Sequence, residues 1–189
     1  MHHPGGGVRA ERNGPVTPGL AVVTDGGRIA EIGSYGKLLE TYGGERGGAR
    51  VRAWDGVLEP GRYAADGTAL LEAFYWPDPR EADALGTDPV PVAGIAMTDT
   101  RWSASARRGV QRLFARGVTA VAGPFTRPQV AAAVRRAGLR DHPADLVSGG
   151  DADFTVLGPA PASPSPAPGG PAETCVVTVL GGRLVHRRA

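Results

Sequence analysis

The sequence contains few of the residues from which metal and redox sites are built. It has one cysteine, Cys175, and four histidines among 189 residues. A single cysteine excludes an internal disulfide and, on its own, a thiolate metal site. Cys175 lies in the apolar run TCVVTVL, which is typical of an inert core thiol rather than a nucleophile. We therefore expect neither disulfide nor thiol chemistry.

Long apolar runs and a leader peptide are also missing. No stretch approaches the roughly 18 apolar residues of a transmembrane helix. The first residues, MHHPGGGVRAER, lack the apolar centre of a signal peptide. These features predict a cytoplasmic protein without a membrane partner.

Neither sign of charge is in large excess. Lysine and arginine number 21 and the acidic residues 19, which gives a formal net charge of +2. The arginines form short pairs, Arg107-Arg108, Arg135-Arg136 and Arg187-Arg188, which are typical of solvated helix faces or a chain end. The sequence has no basic stripe interleaved with aromatic residues, so no nucleic-acid partner is expected.

Glycine and proline are abundant, with 29 and 17 residues, and they divide the chain. Residues 1–18, which include His2 and His3, are rich in Gly, Pro and Arg and are predicted to form a disordered tail. The Pro/Ala/Ser segment at 159–173 cannot bury apolar area, so we expect it to be a mobile loop.

Local patterns predict β-structure near both ends of the chain and βα units between them. Hairpins are expected around Asp25-Gly26-Gly27 and Gly181-Gly182, because glycine accepts the positive φ of tight turns. In the middle, apolar periodicity predicts in turn a buried strand at 90–99, a helix at 103–117, a strand at 118–123 and a helix at 129–138.

This order predicts an α/β fold with a separate β part. The expected organisation is a composite β-sandwich-like domain built from residues 19–61 and 148–189. Residues 62–147 form a βαβα lobe inserted between its two halves.

Five segments, taken together and in this order, resemble the metal-dependent amidohydrolase superfamily. The likeness is to the composite domain of imidazolonepropionase-like and aminodeoxyfutalosine deaminase-like proteins. The segments are AVVTDGGRIAEIG (21–33), DGVLEPG (55–61), SARRGVQRLFARGVTAV (105–121), GGDADFTVLG (149–158) and VVTVLGGRLVHRR (176–188). They cover about a third of the chain.

The resemblance implies a metal site that this sequence does not complete. In catalytic relatives a His-x-His pair follows the Pro-Gly step, and two imidazoles at i and i+2 of a strand can ligate one metal ion. The corresponding positions here are Asp66 and Thr68. A full (β/α)₈ barrel needs about 200–250 residues, whereas 62–147 offers 86 positions. The lobe is therefore expected to be a truncated remnant of a TIM-like barrel.

These departures favour a protein that has lost metal-dependent catalysis. No cofactor is expected. The chain would act as a binding or partner-subunit module, with a small-molecule ligand or with a homo- or hetero-oligomer formed through exposed sheet edges.

The alternative is an active hydrolase that cleaves C–N bonds other than peptide bonds, in a cyclic amidine or aminopurine type of substrate. It would require a divalent zinc or iron ion. Asp66 and His142 are its catalytic candidates, and Asp141, His142 and Asp145 in RDHPAD are its metal candidates, unless a partner chain supplies the ligands. The simpler interpretation of RDHPAD is a loop of solvated charges.

The remaining binding candidates are Thr126 and Arg127 in GPFTRPQ (123–129). This segment follows a predicted parallel strand and opens a helix, where free amides and the helix dipole favour an anion. Arg127 suits a carboxylate or a phosphate. The simpler interpretation is a capping box formed by Thr126 and Gln129. Asp151 and Asp153 are expected to cap the closing hairpin or to neutralise an arginine.

Overall fold

A computed structural model describes residues 1–44, 48–159 and 173–188, and within them the chain is mixed α/β with several small sheets. The strands are β1 (His2–Pro4), β2 (Leu20–Asp25), β3 (Arg28–Ser34), β4 (Arg52–Trp54), β5 (Val57–Pro60), β6 (Arg62–Ala64), β7 (Phe74–Tyr75), β8 (Val90–Pro91), β9 (Val118–Val121), β10 (Phe154–Pro159), β11 (Glu173–Leu180) and β12 (Arg183–Arg187). The helices are α1 (Tyr35–Tyr42), α2 (Ala82–Leu85), α3 (Asp99–Phe114) and α4 (Pro128–Ala137), with a π-helical turn at Ala69–Ala73 and a 3₁₀ turn at Pro79–Glu81.

Two four-stranded sheets are built from strands near both ends of the chain. The first has the order β3-β2-β1-β4, and the second has the order β12-β11-β10-β5. Both predicted hairpins, β2–β3 and β11–β12, are present and antiparallel. The turns of the two hairpins lie in close contact. A Cβ added at Gly182 would lie only 1.9 Å from the carbonyl oxygen of Gly26. Glycine is required there for close approach as well as for its φ of 72°.

The two sheets share an apolar core. Side chains from both contribute to one buried cluster, which includes Val22, Ile29 and Trp54 from the first sheet and Phe154, Val156, Val177 and Val179 from the second. Alternating inward-facing residues of this kind are what drive sheet-on-sheet packing. The division of the chain into a composite β domain and an α/β lobe stays a prediction.

Residues 1–18 do not form the disordered tail that their composition predicts. The strand β1 lies between β2 and β4, antiparallel to the first and parallel to the second. His2 is 1% exposed, and its Nδ1 accepts a hydrogen bond of 3.1 Å from Trp54 Nε1. Its ring also makes an edge contact with Phe154 at a centroid distance of 4.8 Å. The prediction failed because pairing with distant strands satisfies this backbone.

The parallel part of the fold is small. The strands β6 and β9 pair in parallel, and Ala120 of β9 makes a further parallel bridge to Arg140. The helices α3 and α4 pack together over an apolar cluster that includes Leu113, Val121 and Val130. The helix α4 ends at Gly138 with a φ of 77°, as the sequence predicts.

The first strand of this parallel part is β6, not the strand predicted at 90–99. Only Val90 and Pro91 of that segment belong to a strand, and they pair with β7 in a two-stranded sheet. Pro91 has no amide to donate, and Gly94 turns the chain with a φ of 87°. The apolar run therefore could not continue into a sheet interior.

Two further observations complete the description. In the part of the chain that the structure describes, no helix combines the length and the apolar character needed to cross a membrane. The predicted mobile loop at 159–173 lies outside the described residues except for its two end positions.

We expect His2 to make folding stability depend on pH. Burial lowers the pKa of His2 to about 3, against an ordinary value near 6.5. The neutral form is favoured in the folded state, so stability is complete above pH ~6.5 and decreases as the pH falls toward 3. Between pH 7 and 5 this amounts to about 2 kcal/mol in the free energy of unfolding.

Urea denaturation at both pH values checks this. The variant His2→Gln should lose this component of the pH dependence, while His142→Gln, at an exposed position, should keep it. The same pH dependence in wild type and His2→Gln would contradict a buried neutral imidazole.

Candidate functional site

The loops that follow β6 and β9 meet at the carboxyl edge of the parallel pair. In α/β sheets this edge is where ligands bind. Asp66 and Thr68 follow β6, and Thr126 and Arg127 follow β9. The hydroxyl of Thr68 donates a hydrogen bond of 2.9 Å to the carbonyl oxygen of Pro124. The two loops are therefore joined directly.

A carboxylate of the chain itself lies at the start of α4. Glu72, in the π-helical turn, accepts 2.7 Å hydrogen bonds from the hydroxyl of Thr126 and from the backbone amide of Arg127. Both predicted ligand-binding residues thus contact one acidic group. This is the geometry in which helix N-termini bind carboxylates and phosphates. The arrangement can hold an anion, and in this structure the anion is Glu72.

This arrangement corrects the predicted capping box. Arg127 is the N-cap residue of α4, and its side chain makes no capping hydrogen bond. Gln129 instead donates a 2.7 Å hydrogen bond to the carboxylate of Asp99 on α3. The local pattern predicted a local pairing, but the side chains of Thr126 and Gln129 instead donate hydrogen bonds to acidic residues of other elements.

A cavity of about 440 Å³ lies beside Glu72. It is lined by Met97, Asp99, Trp102, Thr126, Arg127, Pro128 and Gln129. The guanidinium of Arg127 lies over the ring of Trp102, 5.0 Å from its centroid, which is a cation–π contact. The cavity therefore combines a positive charge, polar side chains and an apolar wall.

The candidates proposed for a metal do not converge. Asp141 and His142 pair with each other, and both side chains are exposed, by 90% and 77%. The His142 hydrogen bond lowers the pKa of Asp141. Asp145 accepts a 2.8 Å hydrogen bond from the amide of Arg12. Asp66 is exposed in another loop.

The donor chemistry of these groups does not fit a zinc or iron ion. Among the residues that the structure describes, no three His, Cys, Asp or Glu side chains are close enough to share an ion. Thr68, at the second position of the expected pair, is a poor ligand for a transition metal. No catalytic step through a metal follows from this geometry.

Asp153 caps the closing hairpin and Asp151 neutralises arginines, in line with the two alternatives that the sequence predicts. Asp153, 7% exposed, accepts a 2.7 Å hydrogen bond from Nε of Arg140 and another from the amide of Gly181. Asp151 lies 3.5 Å from the same guanidinium and 3.3 Å from Arg28. The Asp153 hydrogen bond raises the pKa of Arg140. The role of both acids is structural.

A second polar cluster was not found from the sequence. The hydroxyl of Tyr75 and the guanidinium of Arg101 both donate to the carboxylate of Glu81. Burial raises the pKa of Tyr75, and the hydrogen bond to Glu81 acts in the same direction. The hydrogen bond from Tyr75 lowers the pKa of Glu81. These contacts connect β7 and the 3₁₀ turn to α3.

Comparisons with known proteins find similar solved structures, but no family model and no curated relative. The A. niger ochratoxinase is 17% identical with a TM-score of 0.43 over 79% of this chain and 29% of that chain. A zinc-bound adenosine deaminase from Xanthomonas campestris is 15% identical with a TM-score of 0.45 over 79% of this chain and 36% of that chain.

Both structural neighbours are amidohydrolase-superfamily members. The chain spans about a third of the length of each. Similarity at this level does not transfer the neighbours' activity, which must be argued from the site itself.

Removing the Glu72 carboxylate should destabilise the fold. Glu72→Ala deletes two charge-assisted hydrogen bonds, so we expect a loss of about 1–3 kcal/mol in the free energy of unfolding. Urea denaturation measures this loss. Glu40→Ala, on the exposed face of α1, is the matched control and should change stability by less than about 0.5 kcal/mol. Equal effects of the two substitutions would show that Glu72 does not hold the loops together.

Proposed function

We propose that this chain is an amidohydrolase-like protein, of imidazolonepropionase-like type, that binds a small anion or a partner subunit and does not catalyse metal-dependent hydrolysis. In this proposal the βαβα part is the remnant of a TIM-like barrel, and the two four-stranded sheets are its composite β domain. One observation carries the proposal. Side chains that would face a metal and a substrate in a hydrolase bind each other here.

The contacts at the carboxyl edge of β6 and β9 support the absence of metal-dependent hydrolysis. Thr68, at a position where the resemblance places a histidine, donates to the oxygen of Pro124. Glu72 accepts from Thr126 and Arg127. Both groups are therefore engaged in joining the two loops, which supports a holding role for them over activation of water for attack on a C–N bonded carbon.

The same edge supports anion binding. The backbone amide of Arg127 and the hydroxyl of Thr126 already hold one carboxylate, so they can hold another when Glu72 rotates away. Glu72 then acts as an internal competitor, and an incoming carboxylate or phosphate must gain further contacts to displace it. The guanidinium of Arg127 and the adjacent cavity provide such contacts.

We expect Glu72→Ala to bind inorganic phosphate more tightly than the wild-type chain. Phosphate titration followed by amide chemical shifts should move the Arg127 signal, with an affinity at least about tenfold higher in Glu72→Ala. Glu40→Ala should behave like the wild type. If Glu72→Ala shows no saturable shift at Arg127, the anion-binding part of the proposal is wrong.

Metal content tests the catalytic part separately. Protein purified without chelator should contain well under one zinc or iron ion per chain by elemental analysis. Stoichiometric metal that is lost in Asp66→Asn or His142→Ala, together with hydrolysis of a cyclic amidine or an aminopurine, would contradict the proposal and support the active C–N hydrolase.

A further inference from the structure

Three open clefts lie side by side across α3, α4 and the β11–β12 turn. Their volumes are about 350, 360 and 730 Å³. Arg107 lines both the first and the second cleft, and Arg136 lines both the second and the third. The shared residues make the three clefts one continuous surface, which we call the arginine track.

The track is positively charged along its whole length. The arginines that line it are Arg107, Arg108, Arg112, Arg136, Arg140 and Arg183. No aspartate or glutamate is among the described residues that line it. Arg108 is paired with Asp78 at 3.1 Å and Arg140 with Asp153 at 2.7 Å. The other four form no ion pair within the described part of the chain.

The net charge of +2 does not reveal that these arginines are concentrated on one surface. Arg107 and Arg112 belong to α3, Arg136 to α4 and Arg183 to β12. In the sequence they are spread over short pairs that resemble ordinary solvated helix faces. Only the packing of α3 against α4, with β11 and β12 beside them, brings the unpaired charges to one surface.

We infer that the arginine track binds an acidic segment of a partner protein in which carboxylates alternate with apolar side chains. A guanidinium binds a carboxylate through two parallel hydrogen bonds. Between the arginines the lining includes apolar residues, with Pro77 and Pro79 in the first cleft, Ala132 in the second and Val185 in the third. An extended polypeptide matches this alternation of charge and apolar surface.

The shape of the track and its lack of aromatic surface disfavour other anions. Small-molecule sites enclose most of one compact ligand, whereas the track extends over three adjacent clefts. Proteins that bind single-stranded nucleic acid stack its bases on exposed aromatic side chains. Trp76 is the only aromatic residue among the described residues that line the track, and it is 3% exposed.

This inference names the chemistry of the partner in the proposed function and rests on its partner-binding half. None of the track's arginines contacts Glu72, Thr126 or Arg127, although Pro128 and Gln129 line both the second cleft and the cavity at Thr126 and Arg127. If phosphate does not bind at Arg127, the inference about the arginine track is therefore unaffected. If the acidic peptide does not bind the arginine track, the small-anion proposal is unaffected.

Fluorescence anisotropy of the full chain with three labelled probes tests the inference. The first probe is a peptide that alternates glutamate and leucine with alanine spacers. The second is the same peptide with glutamine in place of glutamate, and the third is an oligothymidylate of similar length. The acidic peptide should bind saturably, and the bound fraction should fall as salt is added. The glutamine peptide and the oligothymidylate should bind at least about tenfold more weakly.

Matched double variants locate the surface. The double variant Arg107→Gln with Arg136→Gln should bind the acidic peptide at least about tenfold more weakly, because each of these residues lines two clefts. Arg116→Gln with Arg135→Gln removes the same charge from exposed positions outside the track and should change affinity less than about twofold. Far-ultraviolet circular dichroism checks folding. If the first pair unfolds the chain, Arg112→Gln with Arg183→Gln replaces it.

Four results would overturn the inference. They are no saturable binding of the acidic peptide, equal binding of the glutamine peptide, tighter binding of the oligothymidylate, and equal effects of the two double variants. Tighter oligothymidylate binding would identify the track as a nucleic-acid surface instead.

Discussion

The Glu72 carboxylate is the contact on which the parallel half of this structure depends. The two parallel strands are only three and four residues long, so contacts outside the sheet are needed to hold their loops. Glu72 connects the π-helical turn to Thr126 and to the first amide of α4, and Thr68 adds a hydrogen bond to Pro124. The contact that stabilises these loops also occupies the edge where an α/β protein receives its ligand.

The charged side chains divide into two groups with different roles. Asp153 with Arg140, and Asp78 with Arg108, are partly buried pairs that hold a hairpin and a turn in place. Removing one partner of such a pair is costly because the other is left uncompensated. Arg107, Arg112, Arg136 and Arg183, which form no ion pair within the described part of the chain, line the arginine track. The fold thus uses its paired charges for structure, and the proposed binding role uses the unpaired ones.

The sequence predicts what is encoded locally. Both hairpins and the helices α3 and α4 follow from glycine turns and apolar periodicity, and the structure has them within a few residues. Three features were missed for one reason. The strand β1 depends on contacts such as that between His2 and Trp54, 52 positions apart, and Glu72 meets Thr126 across 54 positions. The arginine track likewise exists only after α3 and α4 pack.

The most direct test of the central claim is a crystal structure of the chain grown with zinc, examined by anomalous diffraction. The account predicts that the Glu72 oxygens stay on Thr126 and the Arg127 amide, with no zinc peak at the carboxyl edge of β6 and β9. A zinc ion within about 2.2 Å of an Asp66 oxygen, with Glu72 rotated onto the same ion, would contradict it.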